Sequence, residues 1–166
     1  MTTEISPKAL RKLIRDKEWT TPTSGAAKGF LQANLVMLPR EEAFNFLLFC
    51  VRNPKPCPIL DVLEPGQTEP AIAPGADLRT DLPRYCIFQN GQLKEEVEDV
   101  TAVFTDQMVC FLLGCSFSFE NAMLAAGLPI RNIEEGKNVS MYVTDIDCEP
   151  AGANQPAPFL LLWSCP

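Results

Sequence analysis

LLGCSFSFENAMLAAGLP, Leu112–Pro129, is the stretch to read first, because a helix start, a helix stop and a cluster of reactive groups fall together in it. Gly114 is read as the end of an apolar helical run, and Cys115 to Glu120 as the junction to the next helix. Ser116 or Ser118 suits the N-cap, where a hydroxyl accepts from a free backbone N–H two or three residues on. Glu120 then lies in the first turn, where the helix dipole favours a negative group. Gly127 suits the left-handed position after the last turn, and Pro129 forbids continuation. A thiol, two hydroxyls and a carboxylate at a helix N-terminus form an anion-binding or nucleophilic site, or else a packed thiol with two capping serines.

Upstream of it, Val100, Val103, Phe104, Met108, Phe111 and Leu112 recur at helical spacing, so 100–113 is expected to be a central helix. So apolar a helix would leave an uncovered patch, from which either poor stability or a homo-oligomer is expected. Earlier still, Ser6 and Pro7 cap and open a first helix carrying Leu10, Leu13 and Ile14 on one face, running to about Lys17. Residues 20–29 (TTPTSGAAKG) form a loop. Residues 31–38 (LQANLVML) read as a buried strand stopped by Pro39, and Ala43, Phe44, Leu47, Leu48 and Val51 mark a helix after it. RNPKPCP, 52–58, is too rich in proline for either element. A short strand, 59–63, then leads into a long loop, 64–81, whose end packs charges of both signs from Asp77 to Asp81. Asn90-Gly91 between 85–88 and 92–94 signals a two-residue hairpin. After the opening stretch, 138–146 alternates like a strand. Helices and strands interspersed in this way predict an α+β domain: one domain, with a mixed sheet packed by helices.

Composition removes whole classes of function. The 166 residues suffice for one core, and 46% apolar with 21% charged residues is globular. A net charge of −7 without a basic block points away from nucleic acid and anionic membrane surfaces. No apolar run approaches the ~20 residues a membrane span needs. The N-terminus lacks the apolar core of a secretory signal, so the cytoplasm is expected, with the mitochondrial matrix as the alternative. The seven cysteines include no C-x-x-C pair, and reduced thiols packed as small apolar groups are expected. There is no histidine, so neither a His-based triad nor a His-ligated metal can be built from this chain, and no metal site is expected.

The chain resembles the D-glutamate cyclase family, whose members are also described as hydro-lyases. The blocks that carry the resemblance run from about Arg15 to Gly152: Thr23-Ser24-Gly25 with Gly29; Gln32 to Val36; Leu38-Pro39; Phe49-Cys50 with Arg52-Asn53-Pro54; Pro56-Cys57-Pro58; Asp77; Arg79 to Pro83 with Tyr85; Gly114 to Glu120; then Ala126-Gly127, Arg131, Met141-Tyr142, Thr144, Cys148 and Ala151-Gly152. The family pattern is expected to occupy 1–152 and to leave 153–166 as a divergent tail, which would make this a C-terminally truncated member.

The resemblance implies conversion of D-glutamate to 5-oxo-D-proline and water, with no cofactor and a small acidic metabolite as the partner. That reaction sets chemical demands. The amine must lose a proton before attacking the γ-carboxyl carbon, the oxyanion must be stabilised, and a proton must reach the departing oxygen. Arg79 and Arg52, in matched blocks, are the preferred cations for a dicarboxylate, ahead of Arg131. Asn34 joins them as substrate-binding. Ser116 and Ser118 are candidates for the oxyanion, Glu120 or Asp81 for proton transfer with burial raising its pKa, and Cys115 for a nucleophile or a packed thiol. Two alternatives stay open: a non-catalytic binding protein for a small acid, and a hydro-lyase acting on another amino or hydroxy acid.

Overall fold

The computed structural model describes residues 5–137 and 145–152. Its spine is an antiparallel three-stranded sheet, ordered β1 (Ala33–Pro39), β5 (Met108–Gly114), β2 (Ile59–Val62), with β5 in the middle. A hairpin, β3 (Tyr85–Gln89) with β4 (Gln92–Val97), forms a second sheet. Four helices complete the described chain: α1 (Pro7–Arg15), α2 (Arg40–Arg52), α3 (Phe117–Ala125) and the single turn α4 (Arg131–Glu134). The α+β class holds, and all strand pairings among the described residues are antiparallel.

The central helix expected over 100–113 is not there. Residues 101–103 form a turn, and the run from Met108 onward is the middle strand. Alternation explains the difference. Cys110 and Leu112 point into one core with Leu35, Met37, Leu63, Leu78, Tyr85, Ile87 and Val100. Val109 and Phe111 point into the other, with Val36, Leu38, Ala43, Phe46 and Cys50. A strand covered on both faces is apolar at every position, so it loses the period of two that identifies a strand. Its match to a helical spacing with Val100 and Phe104 is coincidental. The uncovered patch argued from that helix disappears with it. Large apolar side chains instead lie exposed on and after α3: Phe119, Met123, Leu124 and Leu128.

The two cores define three layers. Helix α2 covers one sheet face, where the rings of Phe46 and Phe111 meet edge-on with centroids 4.9 Å apart. The hairpin and the 64–84 loop cover the other. Tyr85, fully buried, fixes that loop: its hydroxyl donates to the Leu78 carbonyl at 2.9 Å and accepts from the Leu82 N–H at 3.2 Å. Burial pushes its phenol far above the ordinary tyrosine range.

Local signals elsewhere are honoured. The Ser6 hydroxyl caps α1 by accepting from Ala9 N–H, with Pro7 opening the helix. Asn90 and Gly91 both have positive φ, 52° and 75°, as a type I′ hairpin turn requires. Gly127, φ 74°, follows the Ala126 cap of α3. The strand expected over 138–146 lies almost wholly outside the described residues.

Candidate active site

The ladder fixes where the junction sits. Ala33 pairs with Gly114, so the start of β1 and the end of β5 lie side by side, and the segments beyond them meet. The Gln32 N–H donates to the Ser118 hydroxyl oxygen at 3.0 Å, and the Cys115 thiol donates to the Gln32 carbonyl at 3.5 Å. Two hydrogen bonds thus tie the loop before β1 to the turn that opens α3. Ser116 takes the N-cap position of α3 but makes no side-chain cap bond. Its hydroxyl donates instead to Glu120 Oε1 at 3.1 Å, one turn on. Of the expected cluster, Cys115, Ser116, Ser118 and Glu120 are therefore together, and the serines are engaged with partners other than the helix amides.

Gln32 links this junction to a recess of about 200 Å³. Its wall is largely apolar, drawn from α1, the 23–32 loop and the 70–82 loop, with Arg11, Gln32 and Asp81 as its polar part. Gln32 Oε1 is buried and accepts no hydrogen bond; Asn34 Oδ1, two residues on in β1, is likewise buried and unpartnered. Such atoms are costly in a folded chain, about 1–3 kcal/mol each, when nothing pairs with them. Arg11 Nε is also buried without a hydrogen bond, 3.5 Å from Asp81 Oδ2 and so only loosely paired with it.

Asp81 is the best buried of the candidate carboxylates, its side chain 3% exposed. Its oxygens accept from Arg15 Nη1 at 2.8 and 3.1 Å and from the Asp77 N–H at 2.9 Å. Burial raises its carboxyl above the usual aspartate value, against the opposing pull of the Asp77 amide, Arg15 and Arg11. A raised carboxyl suits a proton carrier; the same bonds also anchor α1 to the loop.

The expected substrate arginines lie elsewhere and are engaged. Arg79 is held by Asp77, donating from Nε and Nη2 at 2.9 and 2.7 Å, and its guanidinium lies 6.0 Å from the Phe104 ring centre. Arg52, at the end of α2, donates to the Pro150 carbonyl. Arg131 pairs with Glu135. The cation at the recess is Arg11, whose Nη2 donates to the Pro74 carbonyl at 3.3 Å and whose Nε faces Asp81; a single Arg on an amphipathic helix looks in sequence like an exposed face residue. Gln32 stands in a matched block without an expected role; its own backbone contacts with the Ser118 and Cys115 side chains reveal it. A second, shallower cleft beside the junction is lined by Ser24, Gly25, Phe117, Glu120 and Lys137. Among the described residues no helix is long and apolar enough to cross a membrane.

Known proteins agree with the resemblance. The family model described as D-glutamate cyclase matches residues 109–160, which include β5, the junction and α3. A protein named "Putative hydro-lyase" from Stutzerimonas stutzeri (strain A1501) is 59% identical over 150 residues, covering 90% of this chain and 57% of the relative. One from Syntrophobacter fumaroxidans is 59% identical over 153 residues, covering 92% and 59%. A third, from Geobacillus kaustophilus, is 57% identical over 149 residues, covering 89% and 57%. The chain thus spans less than two thirds of the length of these curated relatives. The chain is similar to the D-glutamate cyclase family, with the family model running from β5 through the junction and α3.

Proposed function

We propose that this chain carries the reaction centre of a lyase of the D-glutamate cyclase type, which converts D-glutamate to 5-oxo-D-proline and water. The observation that carries the reading is the position of Gln32. Its backbone is bonded to Ser118 and Cys115, its side-chain oxygen is buried and unpartnered, and the residue is among those lining the recess with Arg11 and Asp81.

In this reading the substrate lies between recess and junction. Arg11 faces a carboxylate, and Gln32 Oε1 accepts from the ammonium group. Asp81 takes a proton from that ammonium, which frees the lone pair to form the new C–N bond at the γ-carboxyl carbon; the nitrogen's second surplus proton passes to the leaving oxygen as the tetrahedral species collapses. The tetrahedral oxyanion is met by the Ser116 and Ser118 hydroxyls. The oxygen of Ser118 already accepts from Gln32, so its proton is available to donate. Asp81, whose carboxyl is raised above the usual aspartate value by burial, hands the proton it took to the departing oxygen, so that the C–O bond breaks and water leaves. Cys115 is a packing and positioning group here, because its thiol donates to the Gln32 carbonyl. The reaction involves a small acid only, with no cofactor.

The test is incubation with D-glutamate and chiral detection of 5-oxoproline, on this chain and on a fusion carrying the remaining C-terminal portion of the Stutzerimonas relative. Formation of 5-oxo-D-proline by either, lost in Gln32→Ala, supports the reading. Water loss from another amino or hydroxy acid, with D-glutamate untouched, would move the substrate while keeping the site.

A further inference from the structure

One wall of the recess is fixed to the body of the fold and the other is not. The 70–82 loop is the fixed wall. The Leu78 N–H donates to the Thr68 carbonyl at 2.9 Å, the Val100 N–H donates to the Arg79 carbonyl at 3.1 Å, and the buried Tyr85 hydroxyl bridges Leu78 and Leu82. Helix α1, which supplies Pro7, Leu10, Arg11 and Ile14, is the other wall. Among the described residues its backbone hydrogen bonds stay within residues 6–19 and reach no strand. Side chains alone tie it down. Leu10 and Ile14 are buried, and Arg15 Nη1 donates to both Asp81 oxygens at 2.8 and 3.1 Å. Arg11 Nη2 donates to the Pro74 carbonyl at 3.3 Å, and Lys17 Nζ pairs with Glu98 at 3.2 Å. Just past the helix, Lys17 has φ 61°, in the left-handed region that residues other than glycine rarely adopt, and residues 18–32 carry the chain on to β1.

We propose that α1 is a lid over the recess, hinged at Lys17 and latched by Arg15 on Asp81. Opening it exposes two aliphatic side chains and parts Asp81 from a guanidinium that is already 37% exposed, while every bond of the sheet stays intact. Such a movement lies at the low end of the opening free energies that a fold offers. Arg11 travels with the lid. Closure over a small acid therefore brings the recess its cation and shuts Gln32 and Asp81 away from water in one movement. That consequence rests on the reading of the recess as the substrate's place; the motion itself does not, and is measured without substrate.

The experiment pairs hydrogen exchange with alkylation of a thiol placed in the fixed wall by Ala76→Cys, at a position that is buried and lines the recess. Iodoacetamide labelling at position 76 is followed by peptide mapping. In the Ala76→Cys chain the α1 amides are expected to exchange well before those of β5. Adding Arg15→Gln is expected to speed both α1 exchange and labelling at position 76 by about tenfold, with β5 exchange unchanged. A single common rate for α1 and β5 overturns the proposal, because the helix then opens only with the whole fold. Unchanged α1 exchange in Arg15→Gln overturns the latch. Faster α1 exchange with unchanged labelling at position 76 overturns the lid, because the helix then frays without covering the recess. A chain that opens as expected and leaves D-glutamate untouched keeps the lid and loses only the assigned reaction.

Discussion

The Ser118 hydroxyl accepts the Gln32 N–H at 3.0 Å, joining the first turn of α3 to the loop before β1 across 86 positions of sequence. The bond serves two purposes that a substitution separates. Ser118→Ala leaves a part-buried N–H without a partner, at about 1–3 kcal/mol. If the same hydroxyl also donates to the oxyanion, turnover falls by roughly two to three orders of magnitude. Melting and kinetics on the variant are expected to show both losses.

Ser116 makes the cleaner separation. Its hydroxyl is exposed, caps no amide and bonds only Glu120 among the described contacts. Ser116→Ala is therefore expected to change stability by no more than about 0.5 kcal/mol, as an ordinary surface substitution does. A rate loss of tenfold or more at unchanged melting temperature assigns the hydroxyl to the reaction. An unchanged rate removes it from the site.

Phe111→Ala tests the placement of β5 as the central strand. The ring is buried against Phe46 and is expected to cost about 3–5 kcal/mol on removal. Phe119→Ala, with a ring 69% exposed on α3, is expected to cost far less. Urea denaturation of the pair gives the ranking, and equal losses would contradict the layer arrangement.

Much of the fold was legible in the sequence because its signals are local. Ser6-Pro7, Asn90-Gly91 and Gly127 act within one turn, through a hydroxyl, a fixed φ or a missing Cβ, and all three do what their chemistry dictates. The middle strand was illegible for the opposite reason. Val109 to Leu112 are apolar because two separate layers cover them, and neither layer is adjacent in sequence. The site divided along the same line. The Gly114–Glu120 cluster is contiguous and stands together, whereas Gln32, with its unpartnered side-chain oxygen, and Arg11, beside Asp81 at the recess, acquire significance only in the fold. Arg79 and Arg52, expected to bind substrate, are engaged by Asp77 and the Pro150 carbonyl, the second of which is found only in three dimensions.

Asp77 provides a pH dependence. Its hydrogen bonds from Arg79 hold its carboxyl below the ordinary value of 3.8. The unfolded chain therefore binds this proton more readily, so the pair contributes stability above that value and loses it as pH falls through the lowered one. Both side chains are about one third exposed, so solvent screening keeps the contribution small. Asp77→Asn is expected to lower the melting temperature at pH 7, with the gap to the parent narrowing towards pH 3. A gap that widens on acidification would contradict the pairing.

The most direct measurement follows 5-oxoproline formation from D-glutamate and from L-glutamate by chiral chromatography, with the parent, Gln32→Ala and Arg11→Lys in the full-length fusion. The expected result is 5-oxo-D-proline from the D-isomer with the parent, at least a hundredfold less with Gln32→Ala, and a raised KM with Arg11→Lys, whose ammonium cannot reproduce the guanidinium fork. Undiminished turnover in both variants would contradict the assignment of the recess at Gln32 as the place where the substrate reacts.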